Sequence, residues 1–344
     1  MDMGKLKIGQ IGIGHNHGNG KMEAVRKFPE LFEIVGFSEE DEHWRRERQA
    51  LEAYRGLPQL PVKDLLQRAD AVLVECDVRN LTKYARMCVN AGKHIHMDKP
   101  ASGTLEEFQA VLDTARRKEL TVQMGYMYRY NPAIQKCVEL ARSGALGEIY
   151  SVTAEMSTFH SPKYRQWLKS FRGGGMYIFG SHLIDLVIYL LGEPQKITTF
   201  MKQSGLDGVN AQDNTLAVLE YERALARVFV SSVEVNGYGR RQFTVCGSKG
   251  TAQIMPLENP CVMYYSNMEI ADNPYSDRKE MLDLPETGGR YDEMMRDFYS
   301  YCMGQKENPF SYAHDYLVQK VLYEITQTKR HNEGSTQNES NIGQ

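Results

Sequence analysis

The 344 residues contain no apolar stretch suited to a membrane span: the longest, around positions 183–191, is broken by Asp185 and falls short of the roughly 20 residues a bilayer requires. Nor is there a surplus of either charge. Lys and Arg total 41 against 44 Asp and Glu, a formal net charge of -3, whereas chains that bind nucleic acid or anionic membranes ordinarily carry a basic excess. Neither partner is expected, and a small molecule is. The six cysteines, Cys76, Cys88, Cys137, Cys246, Cys261 and Cys302, lack the short paired spacing that builds zinc sites or redox motifs. Buried free thiols are the expectation. The first residues pass from Met1 through Lys5 and Lys7 into an apolar strand pattern without the apolar core and small-residue cleavage site of a secretory leader, which predicts a cytoplasmic chain. Internal repeats are absent as well.

What is present is a globular composition, 42% hydrophobic and 25% charged, with length for two domains that each bury a core. Residues 6–13, 34–37, 71–76, 94–97 and 121–124 read as strands separated by amphipathic helical segments, the pattern of a parallel sheet wound on both faces. Thr104 followed by Glu106 and Glu107 opens one of those helices with a capping residue and early acids. After Asn131-Pro132 the character changes: a helix to Gly144 is followed by strands rich in β-branched and aromatic residues, at 150–156, 215–221, 226–235, 242–246 and 252–255. Hairpin-like turns such as Gly247-Ser248-Lys249-Gly250 predict a largely antiparallel sheet. Helices are expected at 177–191, 291–303 and 313–329. The reading is α/β: a doubly wound dinucleotide-binding domain over 1–125, an α+β domain with a large, mostly antiparallel open sheet over 126–330, and a polar tail, 331–344, expected to be disordered.

The first strand runs into Gly12-Ile13-Gly14-His15-Asn16-His17-Gly18. Glycines there permit a tight turn and let the backbone approach a pyrophosphate at a helix N-terminus. The usual third glycine is replaced by His17, with Gly18 one place later. Glu39 lies 25 residues after Gly14, at the end of the second strand, where an acid can accept the ribose hydroxyls and repel a 2′-phosphate. That favours NAD over NADP. The alternative is that Arg45, Arg46 and Arg48 receive the phosphate of NADP. Gly12, Gly14, His15, Asn16, His17 and Glu39 are the cofactor-binding candidates, with the two histidines shaping the loop or lining the cleft.

Gly92-Lys93-His94 followed by Asp98-Lys99-Pro100, then 125–132 (GYMYRYNP), 144–149 (GALGEI) and Gly173-Gly174-Gly175 leading to Gly180-Ser181-His182-Leu183-Ile184-Asp185 resemble, in order and spacing, the motifs of the glucose-fructose oxidoreductase, inositol dehydrogenase and MocA family. The resemblance spans roughly residues 5–330. It implies a Rossmann domain plus a sheet domain, acting on a sugar, glycoside or cyclitol, with Lys99 and His182 catalytic at the reacting carbon and Lys99 also against the cofactor. Moving hydride from a secondary alcohol requires a group that takes the hydroxyl proton, and both lysine and histidine can do so once their pKa values suit. By the same resemblance Arg129 is a cofactor-proximal candidate, or a structural ion pair. Tyr128, Arg165, Trp167 and Asp185 are candidates for substrate contact, in a region that also contains Tyr164 and Lys169. Members of the inositol-dehydrogenase type carry an aspartate four residues before the histidine, and this chain has Ile178. The proton route is therefore expected to differ, Asp185 being one alternative orienter of the imidazole. His94, His96 and His182 raise the idea of a metal, but the family works without one, and none is expected.

The leading expectation is an NAD-dependent dehydrogenase of a ring hydroxyl. The alternatives are a glycosidase that uses NAD for transient oxidation and elimination, and a non-catalytic NAD-binding sensor. By analogy with the family, a homodimer or homotetramer is expected.

Overall fold

A computed structural model describes residues 4–258, 260–286 and 288–327; the expected tail at 331–344 lies outside the described residues. The first half alternates β1 (Leu6–Ile11), α1 (Gly18–Arg26), β2 (Phe32–Ser38), α2 (Glu42–Arg48), α3 (Val62–Arg68), β3 (Ala71–Val74), α4 (Leu81–Asn90), β4 (His94–Met97), α5 (Leu105–Arg117) and β5 (Val122–Met124). Its five strands form one parallel sheet in the order β2-β1-β3-β4-β5. All four residues of β3, Ala-Val-Leu-Val, are buried, as expected where helices cover both faces of a parallel sheet. The strand expected to reach position 13 stops at Ile11 because Gly12 turns with φ +82°.

The second half follows as α6 (Pro132–Arg142), β6 (Ile149–Glu155), α7 (Pro162–Leu168), α8 (Ser181–Leu191), β7 (Lys196–Lys202), β8 (Asn214–Glu220), β9 (Leu225–Ser231), β10 (Gln242–Gly247), β11 (Gly250–Ile254), β12 (Met263–Asn267), α9 (Met268–Ala271), β13 (Glu280–Met281), α10 (Asp292–Cys302) and α11 (Tyr312–Thr326). Eight strands form a second sheet, ordered β13-β12-β11-β10-β6-β9-β8-β7. It is antiparallel except for the parallel pair β6 and β9. In β8 the buried positions alternate with partly exposed ones, the signature of a sheet with one face against a core. Edge strand β7 lacks the expected signal because no residue of Lys-Ile-Thr-Thr-Phe-Met-Lys is fully buried, and edges carry a weaker alternation than central strands. The helix expected over 177–191 is two pieces, a π-helical turn Met176–Gly180 running into α8.

Several side chains tie the two halves together beside β4. Gln319 of α11 bonds Ala101 in both directions at 3.1 Å, Tyr177 of the π-turn donates to the same carbonyl at 2.7 Å, and Tyr323 donates to Gly103. These fix the segment that follows Lys99 and Pro100, whose peptide is cis. The Thr104 and Glu107 side chains form a reciprocal capping box that starts α5. Asn131 caps α6 with Pro132 in its first turn. All six cysteines are free thiols, Cys76, Cys88 and Cys137 buried and the other three partly so.

Candidate active site

At the carboxyl end of β1, a Cβ on Gly12 would stand 2.2 Å from the Cys76 Cα, and one on Gly14 would stand 2.8 Å from the Trp44 ring. Only glycine fits the first position. Glu39, one residue beyond β2, accepts from the Ile13 amide at 2.8 Å and from the Asp41 amide at 2.9 Å, and burial raises its pKa. Arg48 donates to the His15 carbonyl at 2.7 Å and to the Asn16 side chain at 3.0 Å, while lying over Trp44. Arg45 and Arg46 pair with Glu42. The backbone amides of Gly14 and Asn16 find no acceptor among the described residues. A loop that excludes side chains, presents free amides and leads into α1 fits a dinucleotide pyrophosphate.

Lys99 follows β4 and is 2% exposed. Its Nζ donates to the main-chain carbonyl of Ile178 at 2.8 Å. Burial, aided by the positive charges of Lys21, Arg290 and Arg241 and opposed by Asp98, brings its pKa down to about 7. His182, in the first turn of α8, is 3% exposed. Its ring meets Tyr128 edge-on at 5.3 Å and Tyr126 at 5.9 Å, and its Nδ1 has no partner among the described residues. Burial, then the charges of Lys99, His17 and Arg290, hold its pKa well below the usual range, so the imidazole is neutral.

Beneath this pair lies a buried ionic cluster. Asp98 Oδ2 sits 3.0 Å from His15 Nδ1, 3.2 Å from His17 Nδ1 and 2.5 Å from Lys21 Nζ, and its other oxygen accepts from the Lys99 amide at 2.6 Å. Lys21 also bonds Glu75 at 2.8 Å. Burial works against the Asp98 charge, but His15, Lys21 and His17 outweigh it and hold the carboxyl well below its ordinary value. Burial brings His17 down to about 3. Lys21, Glu75 and the pinning role of Asp98 were not singled out from sequence. The available signal was a charged residue, Glu75, closing the fully apolar run of β3.

The remaining candidates divide. Tyr128 donates to Glu258 at 2.6 Å beside His182. Trp167 packs on Tyr164 and Phe171 with ring centroids 5.1 and 4.8 Å apart, and is partly buried. Arg165 is fully buried and turned into the body, donating to the Leu206 carbonyl at 2.9 Å and to Asp207. Arg129 is also enclosed. Its guanidinium holds Asp185 and Asp315 at 2.6 Å each and lies over the Phe310 ring at 4.0 Å, with His314 2.9 Å from Asp185. Neither Arg129 nor Asp185 hydrogen-bonds Lys99 or His182 among the described residues; the pair is a strut between the turn after β5 and helices α8 and α11. Asp185 therefore does not orient His182. The histidines considered for a metal do not converge either: His94 accepts from the Thr121 amide at 2.9 Å, and His96 bonds Gln123 at 2.7 Å. The ligand atoms of His15, His17 and Asp98 do lie within 4.8 Å of one another, but the Lys21 ammonium already touches the same Asp98 oxygen and would repel a dication.

Fold and loop together define a Rossmann-type NAD(P)-binding oxidoreductase. Residues 6–126 match the family model described as "Oxidoreductase family, NAD-binding Rossmann fold", and residues 134–253 match the GFO/IDH/MocA C-terminal domain. The chain belongs to the GFO/IDH/MocA family of oxidoreductases. It is 24% identical over 290 residues to the D-glucoside 3-dehydrogenase of Escherichia coli, covering 77% of this chain and 78% of that protein. It is also 24% identical over 250 residues to the trans-1,2-dihydrobenzene-1,2-diol dehydrogenase of Xenopus tropicalis, covering 70% and 72%. Its fold is similar to that of the UDP-N-acetylglucosamine 3-dehydrogenase of Acidithiobacillus ferrooxidans, with a TM-score of 0.77 and 20% identity over 94% of this chain and 97% of that one. No helix among the described residues is long and apolar enough to cross a membrane.

Proposed function

We propose that the protein oxidises a secondary ring hydroxyl of a sugar, glycoside or cyclitol, reversibly and with NAD, residues 1–125 holding the dinucleotide and 126–330 the substrate. What supports this is one juxtaposition: the Lys99 amine bonds the carbonyl of Ile178, four residues ahead of His182 on the same helical stretch, which sets the amine against the turn that carries the imidazole. When bound there, a nicotinamide supplies a hydride acceptor. Lys99, with a pKa near 7, takes the hydroxyl proton as the carbonyl forms and becomes an ammonium, and returns it in the reverse direction. His182, neutral and with Nδ1 unpartnered, donates or accepts a hydrogen bond to the same oxygen and fixes the alcohol's orientation.

NAD is favoured over NADP because Glu39 stands at the end of β2 and the nearby arginines are committed elsewhere, Arg45 and Arg46 to Glu42 and Arg48 to the loop. The glucoside dehydrogenase relative supports the substrate class. The test is NADH formation across a panel of sugars, cyclitols and glycosides, with cofactor affinity measured separately. Lys99→Ala and His182→Ala should each reduce turnover by about 10²–10⁴-fold while NAD still binds; full activity in both variants overturns the assignment.

A further inference from the structure

Behind the Tyr128 ring that meets His182 lies a positive charge that the proton transfer does not use. The Tyr128 ring that meets His182 carries its hydroxyl to Glu258 at 2.6 Å, and Glu258 is gripped by Arg241 at 2.9 Å and Arg290 at 3.0 Å. One carboxylate between two guanidiniums leaves a net positive charge. Arg241 is buried and fully committed, to Glu258, the Ser157 carbonyl and the Thr158 hydroxyl. Arg290 differs. Its side chain is 42% exposed, it holds both Glu258 oxygens through Nη2 alone, at 3.2 and 3.0 Å, and its Nε and Nη1 have no acceptor among the described residues. Its charge reaches both Lys99 and His182, lowering the pKa of each.

We propose, resting on the oxidoreductase reading above, that the substrate is an acidic sugar such as a glycosiduronate, and that the free edge of Arg290 binds its carboxylate beside the carbon that is oxidised. A planar guanidinium with two adjacent donors matches a carboxylate in charge and geometry, and a neutral sugar leaves those donors unpaired once water is excluded. The carboxylate belongs on the side of Lys99 and His182. A cavity of about 470 Å³ that also borders Tyr128, Glu258 and Arg290 includes Glu286 and Glu293 in its wall and neither Lys99 nor His182, and those acids disfavour an anion there.

The test uses the full-length protein with NAD and matched pairs of methyl glycosides and methyl glycosiduronates in the gluco, galacto and manno series, identical except at C6. The acid of at least one pair should show about tenfold or higher kcat/KM than its neutral partner, a preference that shrinks as salt rises. In Arg290→Gln the ratio of acid to neutral should fall about tenfold, and in Arg290→Lys it should fall less. Oxidation of neutral sugars with no gain from the acid, or an unchanged ratio in Arg290→Gln, overturns this inference and leaves the oxidoreductase reading standing. If no sugar is oxidised, binding to the enzyme–NADH complex, followed by NADH fluorescence, decides. Tighter binding of the acids that depends on Arg290 supports the inference while the oxidation reading fails, and equal binding overturns both.

Discussion

The Lys99 amine donates to the Ile178 carbonyl at 2.8 Å, so the residue beside the base candidate offers a neutral main-chain oxygen where members of the inositol-dehydrogenase type carry a carboxylate. A carbonyl accepts the hydrogen bond of either the amine or the ammonium, but unlike a carboxylate it adds no full charge to favour the ammonium. Burial then dominates, and amine and ammonium are both populated near pH 7. The rate of alcohol oxidation, as kcat/KM, should therefore rise with pH through an apparent pKa of about 7. Ile178→Asp places an anion next to the ammonium and should move that limb upward by about one unit or more. An unmoved limb in an active, folded variant would show that Lys99 is not the titrating group.

The same burial has a cost in stability whose sign is fixed. Lys99 titrates at about 7 in the folded chain against an ordinary 10.5, so between those values the unfolded state holds more protons and stability rises with pH. The penalty is full below pH 7 and gone above 10.5. Lys99→Met lacks it. The melting temperature of the variant relative to the wild type should be higher at pH 6 than at pH 10, and a difference independent of pH would contradict the buried, depressed lysine.

Much of this architecture could be read from residue patterns. The helix-separated apolar runs marked all five strands of the first sheet, because strands buried on both faces are uniformly apolar, as in β3. The Thr104 box and the Asn131-Pro132 start were visible as local chemistry. Less legible were elements whose character depends on tertiary neighbours. The π-turn at Met176–Gly180 that offers the Ile178 carbonyl has no distinctive residue pattern, and Arg129, Asp185 and Asp315 gave no sign that they close on one another across 186 positions of chain. Lys99 and His182 were recognisable from their motifs. Lys21, Glu258, Arg241 and Arg290, which set the charge around them, lie in segments without motifs.

The Arg129 strut gives a prediction that separates two roles for this residue. Removing the guanidinium in Arg129→Met strands Asp185 and Asp315, both fully enclosed, and should lower unfolding free energy by about 3–5 kcal/mol in urea titration. As a strut rather than a cofactor contact, Arg129 should leave the NAD dissociation constant of the folded variant within about twofold, a small change in binding energy. A loss of NAD affinity without a loss of stability would return Arg129 to the cofactor.

The glycine loop offers a contrast between two positions two residues apart. At Gly12 the backbone has φ +82°, and an added Cβ would lie 2.2 Å from the Cys76 Cα, 2.4 Å from its Cβ and 2.4 Å from its amide nitrogen. Those atoms belong to the segment following β3 and cannot rotate away, so alanine there forces backbone movement as well as an unfavourable φ. At Gly14 the atoms nearest the added Cβ all belong to the Trp44 ring, the first at 2.8 Å. Trp44 is partly buried on the short helix α2, and its ring can shift. Gly12→Ala should therefore destabilise the protein by about 2 kcal/mol or more and abolish NAD binding. Gly14→Ala should cost less stability, because a side chain yields more cheaply than a backbone, yet still weaken NAD by thickening the loop whose free Gly14 and Asn16 amides would receive a pyrophosphate under the proposed function. Paired thermal melts and NAD titrations of the two variants check this; a Gly12→Ala protein with wild-type stability and affinity would mean that the loop does not adopt this turn.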